Sequence, residues 1–429
     1  MVKVAAWIIA IIQSILSMIP VYNTLEPYMQ DQVTYLVAYA PGAFVKYPFI
    51  SKKTALVTQS KSKAGGFIKG ICHPDDDYEN IKGAGIEWNR ADIPYPFEAD
   101  GVTLRQRYID WKTRMQGFVD NGIKIFAVTP YPYEFLEYGV DPRTDEAKVR
   151  QVAEFLVQDL QGIIGGMQIT NEMSLPRFGN PLTREERVRF MGIQLEAVAP
   201  YKGDIIVGYN NAGPSADYIS LMEPYHQYCD YIGLDWYGGC FTNMITDLWY
   251  YDIMIMFLWS FTGLPVIITE FGYMSEGQPK TAEEKKAVLE EYGYSSEAEA
   301  IADGVNFLNK LPAKFRNELT NVASGNPAEL VFGIEYNQHF YRNLSEGVYI
   351  PGYPHTPEGQ AAVYSKLIEK FAKYQYVIGS FVYEWSDSES CYVCGQSDCP
   401  LETRWGIVDN AGNPKPSYYA LRDAWAKVK

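Results

Sequence analysis

Two stretches of the chain end an apolar run on a carboxylic acid. Residues 167–172 read MQITNE, led in by GIIGG at 162–166, and residues 266–273 read VIITEFGY. Each looks like a buried strand that finishes on a glutamate, Glu172 in the first and Glu270 in the second. An isolated acid of this kind is usually solvated or salt-bridged. Two acids at matching strand ends suit a specific chemistry. One, with its pKa raised, protonates a leaving oxygen, while the other attacks the neighbouring acetal carbon or activates water against it. The two glutamates are 98 residues apart in sequence, so only a fold can bring them together.

Other residues fall at similar places. Arg90 closes EWNRAD, where an arginine can hold a carboxylate ionised through a charge-assisted hydrogen bond. Tyr237 ends YIGLDWYG and can donate its hydroxyl to Glu270; how Asp235 and Trp236 before it face is left open. Trp385 lies in YEWSD, and Asn210 and Asn211 lie in GYNNAG. Glu384 adjoins Trp385 but is expected on the opposite side, because strand side chains alternate. Glu335, in GIEYNQ, is a further acid placed to cap a cleft.

The elements that must position these groups alternate. Short apolar runs at 67–73, 85–92, 123–131, 167–172, 204–210, 231–238, 266–273 and 377–385 read as eight strands. Helical periods fall between them at 104–122, 144–161, 183–200, 216–229 and 244–262, and SYYALRDAWAKVK at 417–429 reads as a last helix capped by Ser417. Thr183 with Glu186 forms a capping box. Eight β-α units with right-handed crossovers give an α/β fold, a (β/α)8 TIM barrel. About 100 residues separate the seventh and eighth strands. Their charged helical stretch at 281–311 and Pro-punctuated stretch at 321–357 predict a large inserted rim subdomain at about 281–357.

In such barrels the reactive groups sit at the C-terminal ends of strands. Here the motif order resembles, over residues 67–429, the large clan of retaining β-glycosidases built on a (β/α)8 barrel (clan A, with its cellulase- and mannanase-like and family 2-like members). QITNE is similar to that clan's Asn-Glu pair after strand four, and ITEFG to its nucleophile strand seven. The resemblance implies a glycoside hydrolase with Glu172 as acid/base and Glu270 as nucleophile. It implies that Asn171 binds the hydroxyl beside the anomeric carbon and that Trp385 stacks on a sugar, with a cis peptide bond often following that tryptophan. Retention would need the two carboxyl groups about 5–5.5 Å apart. Arg90, Asn210 and Tyr237 complete the expected substrate-binding set. Tyr131, at the end of strand three, departs from the histidine many relatives place there. The tail WGIVDNAGNPKPSYYALR at 405–422 resembles the closing segment of family 2-like barrels. The chemistry needs no cofactor and no metal. A transglycosylase would use the same glutamates, and a carbohydrate-binding barrel without turnover is the reading from another class.

Bulk properties agree with a saccharide partner and speak against nucleic acid. The chain has 429 residues and a formal charge of −15, from 37 Lys and Arg against 52 Asp and Glu, with no basic cluster. It carries 34 Tyr and 9 Trp, whose flat faces suit sugar rings. Of six cysteines, three lie in CYVCGQSDC at 391–399. A disulfide-stapled loop shaping the rim is the first expectation, and with it an oxidising compartment. Free thiols and a zinc half-site are the alternatives, the last lacking a second CxxC or an HxxxH elsewhere. Residues 4–22 are almost wholly apolar and about long enough to span a bilayer, and a broken apolar stretch follows at 33–50. With the basic, Gly-ended stretch 51–66 read as a linker, residues 1–63 are expected to anchor an extracellular or cell-surface enzyme. A cleaved signal and a pair of helices packed on the body are the rival readings.

Overall fold

The structure, a computed structural model, describes residue 18 and residues 50–428, apart from 242–246, 323–324, 334–335 and 345–346. Nearly all of the apolar segments 4–22 and 33–50 therefore lie outside the described residues, as does Glu335. Among the described residues no helix is long and apolar enough to cross a membrane.

Eight parallel strands close into a barrel in sequence order, with β8 pairing back onto β1. They are β1 Ile68–Cys72, β2 Trp88–Asp92, β3 Lys124–Val128, β4 Ile164–Gln168, β5 Ile206–Ala212, β6 Tyr231–Trp236, β7 Val266–Phe271 and β8 Val377–Val382. Such strands are covered on both faces, and β6, β7 and β8 are buried at every position. The barrel axis is filled by large rings: Phe126 of β3 lies 5.5 Å from Tyr231 of β6 and 4.8 Å from Phe381 of β8, centroid to centroid. Glycine makes room for them. A Cβ at Gly70 would stand 2.1 Å from the Phe381 ring, and one at Gly166 would stand 2.3 Å from Phe126. The interior is thus a packed core, and a cavity opens above it.

The expected helices form with modest changes. Gln106–Asp120, Glu146–Asp159 and Arg184–Val198 lie where the apolar period places them, and Thr183 and Glu186 make their capping box. The run 216–229 breaks at Met222 into Ala216–Leu221 and a 3-10 turn at Glu223–Tyr228, because Pro224 cannot continue the helix. Trp249–Thr262 stops at Gly263, which takes φ 74° as a left-handed cap. The last helix, Pro416–Trp425, begins on Pro416 rather than being capped by Ser417.

Two stretches differ from the sequence reading. Strand four runs Ile164–Gln168, so the IGG of the lead-in belongs to the strand and Ile169–Glu172 lie beyond it. Residues 51–66, read as a linker, are mostly helical: Ile50–Ala64 covers the N-terminal end of the barrel. Ser60 Oγ donates to the Asp230 carbonyl at 3.1 Å, Lys63 Nζ to the Gly203 carbonyl at 3.1 Å, and Lys124 Nζ to the Ala64 carbonyl at 2.8 Å. Lys63, one of the lysines that made the stretch look solvated, thus caps a carbonyl shortly before β5, while Lys124 at the start of β3 caps the end of the helix.

Between β7 and β8 the chain forms the short helices Ala282–Glu291, Glu297–Asp303, Val305–Lys310, Ala313–Val322, Pro327–Leu330 and Asn337–Tyr341. Phe307, Phe332 and Phe340 pack together among them, with centroids 5.1 to 5.8 Å apart. Helix Pro357–Lys373 then leads into β8.

Candidate active site

Arg90 is the third residue of β2, and its side chain points into the top of the barrel, where it is buried. Its guanidinium spends its donors on three side chains from the ends of two strands, β4 and β7. Nη1 donates to Glu270 Oε1 at 2.6 Å, Nη2 to Asn171 Oδ1 at 2.7 Å, and Nε and Nη2 both to Gln168 Oε1 at 3.2 Å. The planar fork suits this bridging in a way a lysine could not.

Glu270 reaches that point because β7 is irregular. The register with β6 shifts between Leu234 and Asp235, so consecutive residues Thr269 and Glu270 both turn inward. Thr269 Oγ1 donates to Asp235 Oδ1 at 2.5 Å, while Glu270 Oε2 accepts from the Tyr237 hydroxyl. Both oxygens of Glu270 are therefore held by donors.

Glu172 comes from a different device. Beyond Gln168 the backbone leaves the ladder, and Thr170 and Glu172 adopt φ 53° and φ 47°. Left-handed backbone of this kind costs a non-glycine residue roughly 1–3 kcal/mol and clusters at functional sites. The Thr170 N–H donates to Thr129 Oγ1 at 3.0 Å and the Glu172 N–H to Asn210 Oδ1 at 2.8 Å, which hold the turn. Burial, and then the nearby Glu270 charge, push the Glu172 carboxyl up to about 8. This raised acid shares the cavity with Glu270, which is gripped by Arg90 and Tyr237.

Asn171 Oδ1 accepts from Arg90, from Gln168 Nε2 at 3.1 Å and from Asn210 Nδ2 at 2.6 Å. With its oxygen occupied, the group Asn171 offers a ligand is its Nδ2–H donor. Asp235 is fully enclosed, accepts from Asn210 Nδ2 at 2.5 Å, and is raised well above the usual carboxylate range by burial and by Glu270 and Glu172.

These groups line a cavity of about 830 Å³ at the C-terminal strand ends, on which Arg90, Asn171, Glu172, Tyr237 and Glu270 all open. Two expected residues do not. Asn210 stands behind the wall as a positioning residue, tied to Asn171, Asp235 and the Glu172 backbone. Trp385 is buried at 1% exposure and faces away from the cavity. The expected alternation fails because the β8 ladder ends at Val382: Tyr383 and Glu384 both line the cavity, and the non-proline cis bond joins those two residues rather than following Trp385. The aromatic wall is instead Tyr237, Tyr383 and Trp405, mutually edge-on with centroids 4.9 to 5.9 Å apart. Tyr131 lines the opposite side, stacked on Tyr133.

Gln168, Tyr383, Glu384, Trp405 and Glu402 were not assigned from sequence. Gln168 had a signal, since it stands within the quoted MQITNE. Trp405 and Glu402 lie in or beside the tail, far from any strand, and had none. Burial raises Glu384 to about 8 and Glu402 to about 7, so the far side of the cavity holds two further acids that are easily protonated.

All six cysteines are free and buried, so the expected disulfide staple is absent, and with it the support it gave to an oxidising compartment. The sulfurs of the 391–399 loop gather instead around His339.

The architecture is the parallel (β/α)8 barrel that the clan resemblance implied, with its carboxylates at the C-terminal strand ends. No protein-family model matches the chain, and no curated protein matches it. Solved structures similar to it include a β-D-glucuronidase from Dictyoglomus thermophilum (11% identity, TM-score 0.48, covering 85% of this chain and 51% of that one). Others are a GH2 β-galacturonidase from Eisenbergiella tayi (12%, 0.49, 85% and 51%) and the Faecalibacterium prausnitzii β-glucuronidase (15%, 0.47, 85% and 49%). The chain spans about half the length of these proteins.

Proposed function

We propose that this protein is a retaining β-glycoside hydrolase, with Glu270 as nucleophile and Glu172 as acid/base. The observation that carries the reading is the unequal treatment of the two acids. Glu270 has both oxygens fixed by Arg90 and Tyr237, whereas Glu172 is held neutral by burial and by the charge across the cavity.

A sugar in the cavity presents its anomeric carbon to Glu270. Glu270 forms the bond to that carbon as the bond to the leaving oxygen breaks, and the Glu172 proton passes to that oxygen. Glu172, now a carboxylate, takes a proton from the incoming water. The water oxygen displaces Glu270 and restores both acids with net retention. The Asn171 amide donates to the hydroxyl beside the reacting carbon, and Tyr237, Tyr383 and Trp405 give the ring an apolar wall. The helices between β7 and β8 act as a rim insertion that walls the cleft, contributing Lys314, Tyr336 and His339 to its lining. The apolar segments of residues 4–50 are proposed to tether the barrel at a membrane on the extracellular side, which fractionation of cells expressing the full chain tests directly.

The decisive experiment is a panel of aryl β-glycosides offered to the wild type, Glu172→Ala and Glu270→Ala. Turnover by the wild type, loss in both variants, and a glycosyl azide of inverted configuration from Glu270→Ala with azide support the assignment. A wild type that binds saccharides but turns over none of the panel makes the barrel a carbohydrate-binding protein.

A further inference from the structure

The 391–399 loop brings Cys391, Cys394 and Cys399 against His339 of the helix Asn337–Tyr341. All four are buried, and their ligand atoms lie within 4.8 Å of one another. We propose that these four residues form a closed tetrahedral zinc site that pins the segment following β7 to the loop following β8.

The spacing argues for an ion. His339 Nδ1 stands 3.4 Å from Cys391 Sγ and 3.6 Å from Cys399 Sγ. Around a tetrahedral zinc with Zn–S near 2.3 Å and Zn–N near 2.0–2.1 Å, an N···S edge measures about 3.5–3.6 Å and an S···S edge about 3.8 Å. A disulfide would instead draw two sulfurs to about 2.05 Å, and all three cysteines are free.

The backbone is shaped as a metal loop requires. The Cys394 N–H points at Cys391 Sγ at 3.3 Å, the donor a bound thiolate uses. Cys391 N–H donates to the Gln396 carbonyl and Gly395 N–H to the Cys391 carbonyl, both at 2.9 Å, and Gly395 turns at φ 72°. Three thiolates and one imidazole are the soft, closed set that selects zinc for a structural role, with no position open to substrate.

The site explains why so polarizable a cluster is buried at the cavity rim. His339 itself borders the cavity, as does Tyr392 between the first two cysteines. His339 precedes Cys391 by 52 residues and Cys399 by 60, so the ion would close a long loop and fix one wall of the cleft.

The test is the metal content of the full-length protein, purified under reducing conditions without chelator and dialysed, by inductively coupled plasma mass spectrometry. One zinc per chain is expected in the wild type and in Cys229→Ser, falling to near zero in Cys399→Ser and His339→Ala. If those variants fail to fold, Co(II) titration of metal-stripped wild type reads the same site. Thiolate-to-cobalt charge-transfer and tetrahedral d–d bands saturating at one equivalent, and displaced by zinc, support the proposal. A wild type that holds no zinc and takes up neither metal overturns it, as does a folded Cys399→Ser that keeps the full complement, or a disulfide among the three cysteines in anaerobically purified protein.

Discussion

Arg90 and Glu270, 180 residues apart in the chain, meet through a 2.6 Å hydrogen bond inside the barrel mouth, where both are buried. A buried pair of this kind is a poor source of stability but a firm constraint on position, because removing either partner strands a charge. Arg90→Met is therefore expected to lower kcat/KM by about 10²–10³, the loss typical of removing one preorganised donor from a reacting centre. Arg90→Lys is expected to recover little of it, since an ammonium cannot serve Glu270, Asn171 and Gln168 at once. Wild-type rates from Arg90→Lys would show that the fork is not needed.

On the proposed mechanism Glu172 sets an alkaline limb. With its carboxyl near 8, kcat/KM should fall as pH rises through about 8. Glu172→Gln should lose about 10²–10⁴ on substrates with poor leaving groups and far less on dinitrophenyl glycosides, which need no proton, and its profile on the latter should lack that limb. An unchanged limb in the variant would assign it to another group.

The same shift has a stability consequence. The folded-state pKa of Glu172 lies above that of the unfolded chain, so the folded protein binds the proton more tightly. That contribution is complete below about pH 4 and is lost as pH rises through about 8. Glu172→Gln, which cannot ionise, should therefore melt several degrees above the wild type at pH 9 and close to it at pH 4. Parallel melting curves across that range would contradict the raised pKa of this partly buried acid.

Tyr383 and Trp385 separate binding from stability. Tyr383 lines the cavity, so Tyr383→Ala should raise KM for aryl glycosides several-fold with a small change in melting temperature. Trp385 is buried away from the cavity, so Trp385→Ala should cost about 3–5 kcal/mol by chemical denaturation. The reverse pattern would restore Trp385 as the stacking residue.

The barrel axis is equally specific. Gly166→Val places carbon inside the space of the Phe126 ring and should destabilise strongly, and Gly166→Val with Phe126→Ala should recover part of the loss. Additive losses in the double variant would show that the two do not compete for volume.

The sequence by itself determined the strand order, most helix positions and the placing of Glu172 and Glu270 near the ends of their strands, because apolar runs, cap residues and terminal acids are local signals; that both open on one cavity is the work of the closed barrel. Arg90 and Tyr237 were legible as strand-end residues, and Asn171 through the family resemblance. Only the tertiary structure decided the rest. The left-handed turn at Thr170 and Glu172, the shifted register before Asp235 and the end of the β8 ladder at Val382 break the strict alternation that sequence reasoning assumes. They turn Thr269 and Glu384 toward the lumen and Trp385 away from it. Contacts between distant segments were likewise invisible: Trp405 on the cavity wall, the helix Ile50–Ala64 beneath the barrel, and His339 beside three cysteines more than fifty residues downstream. A period in sequence reports which face of an element is apolar; which residues meet across the closed barrel depends on where each ladder shifts or stops.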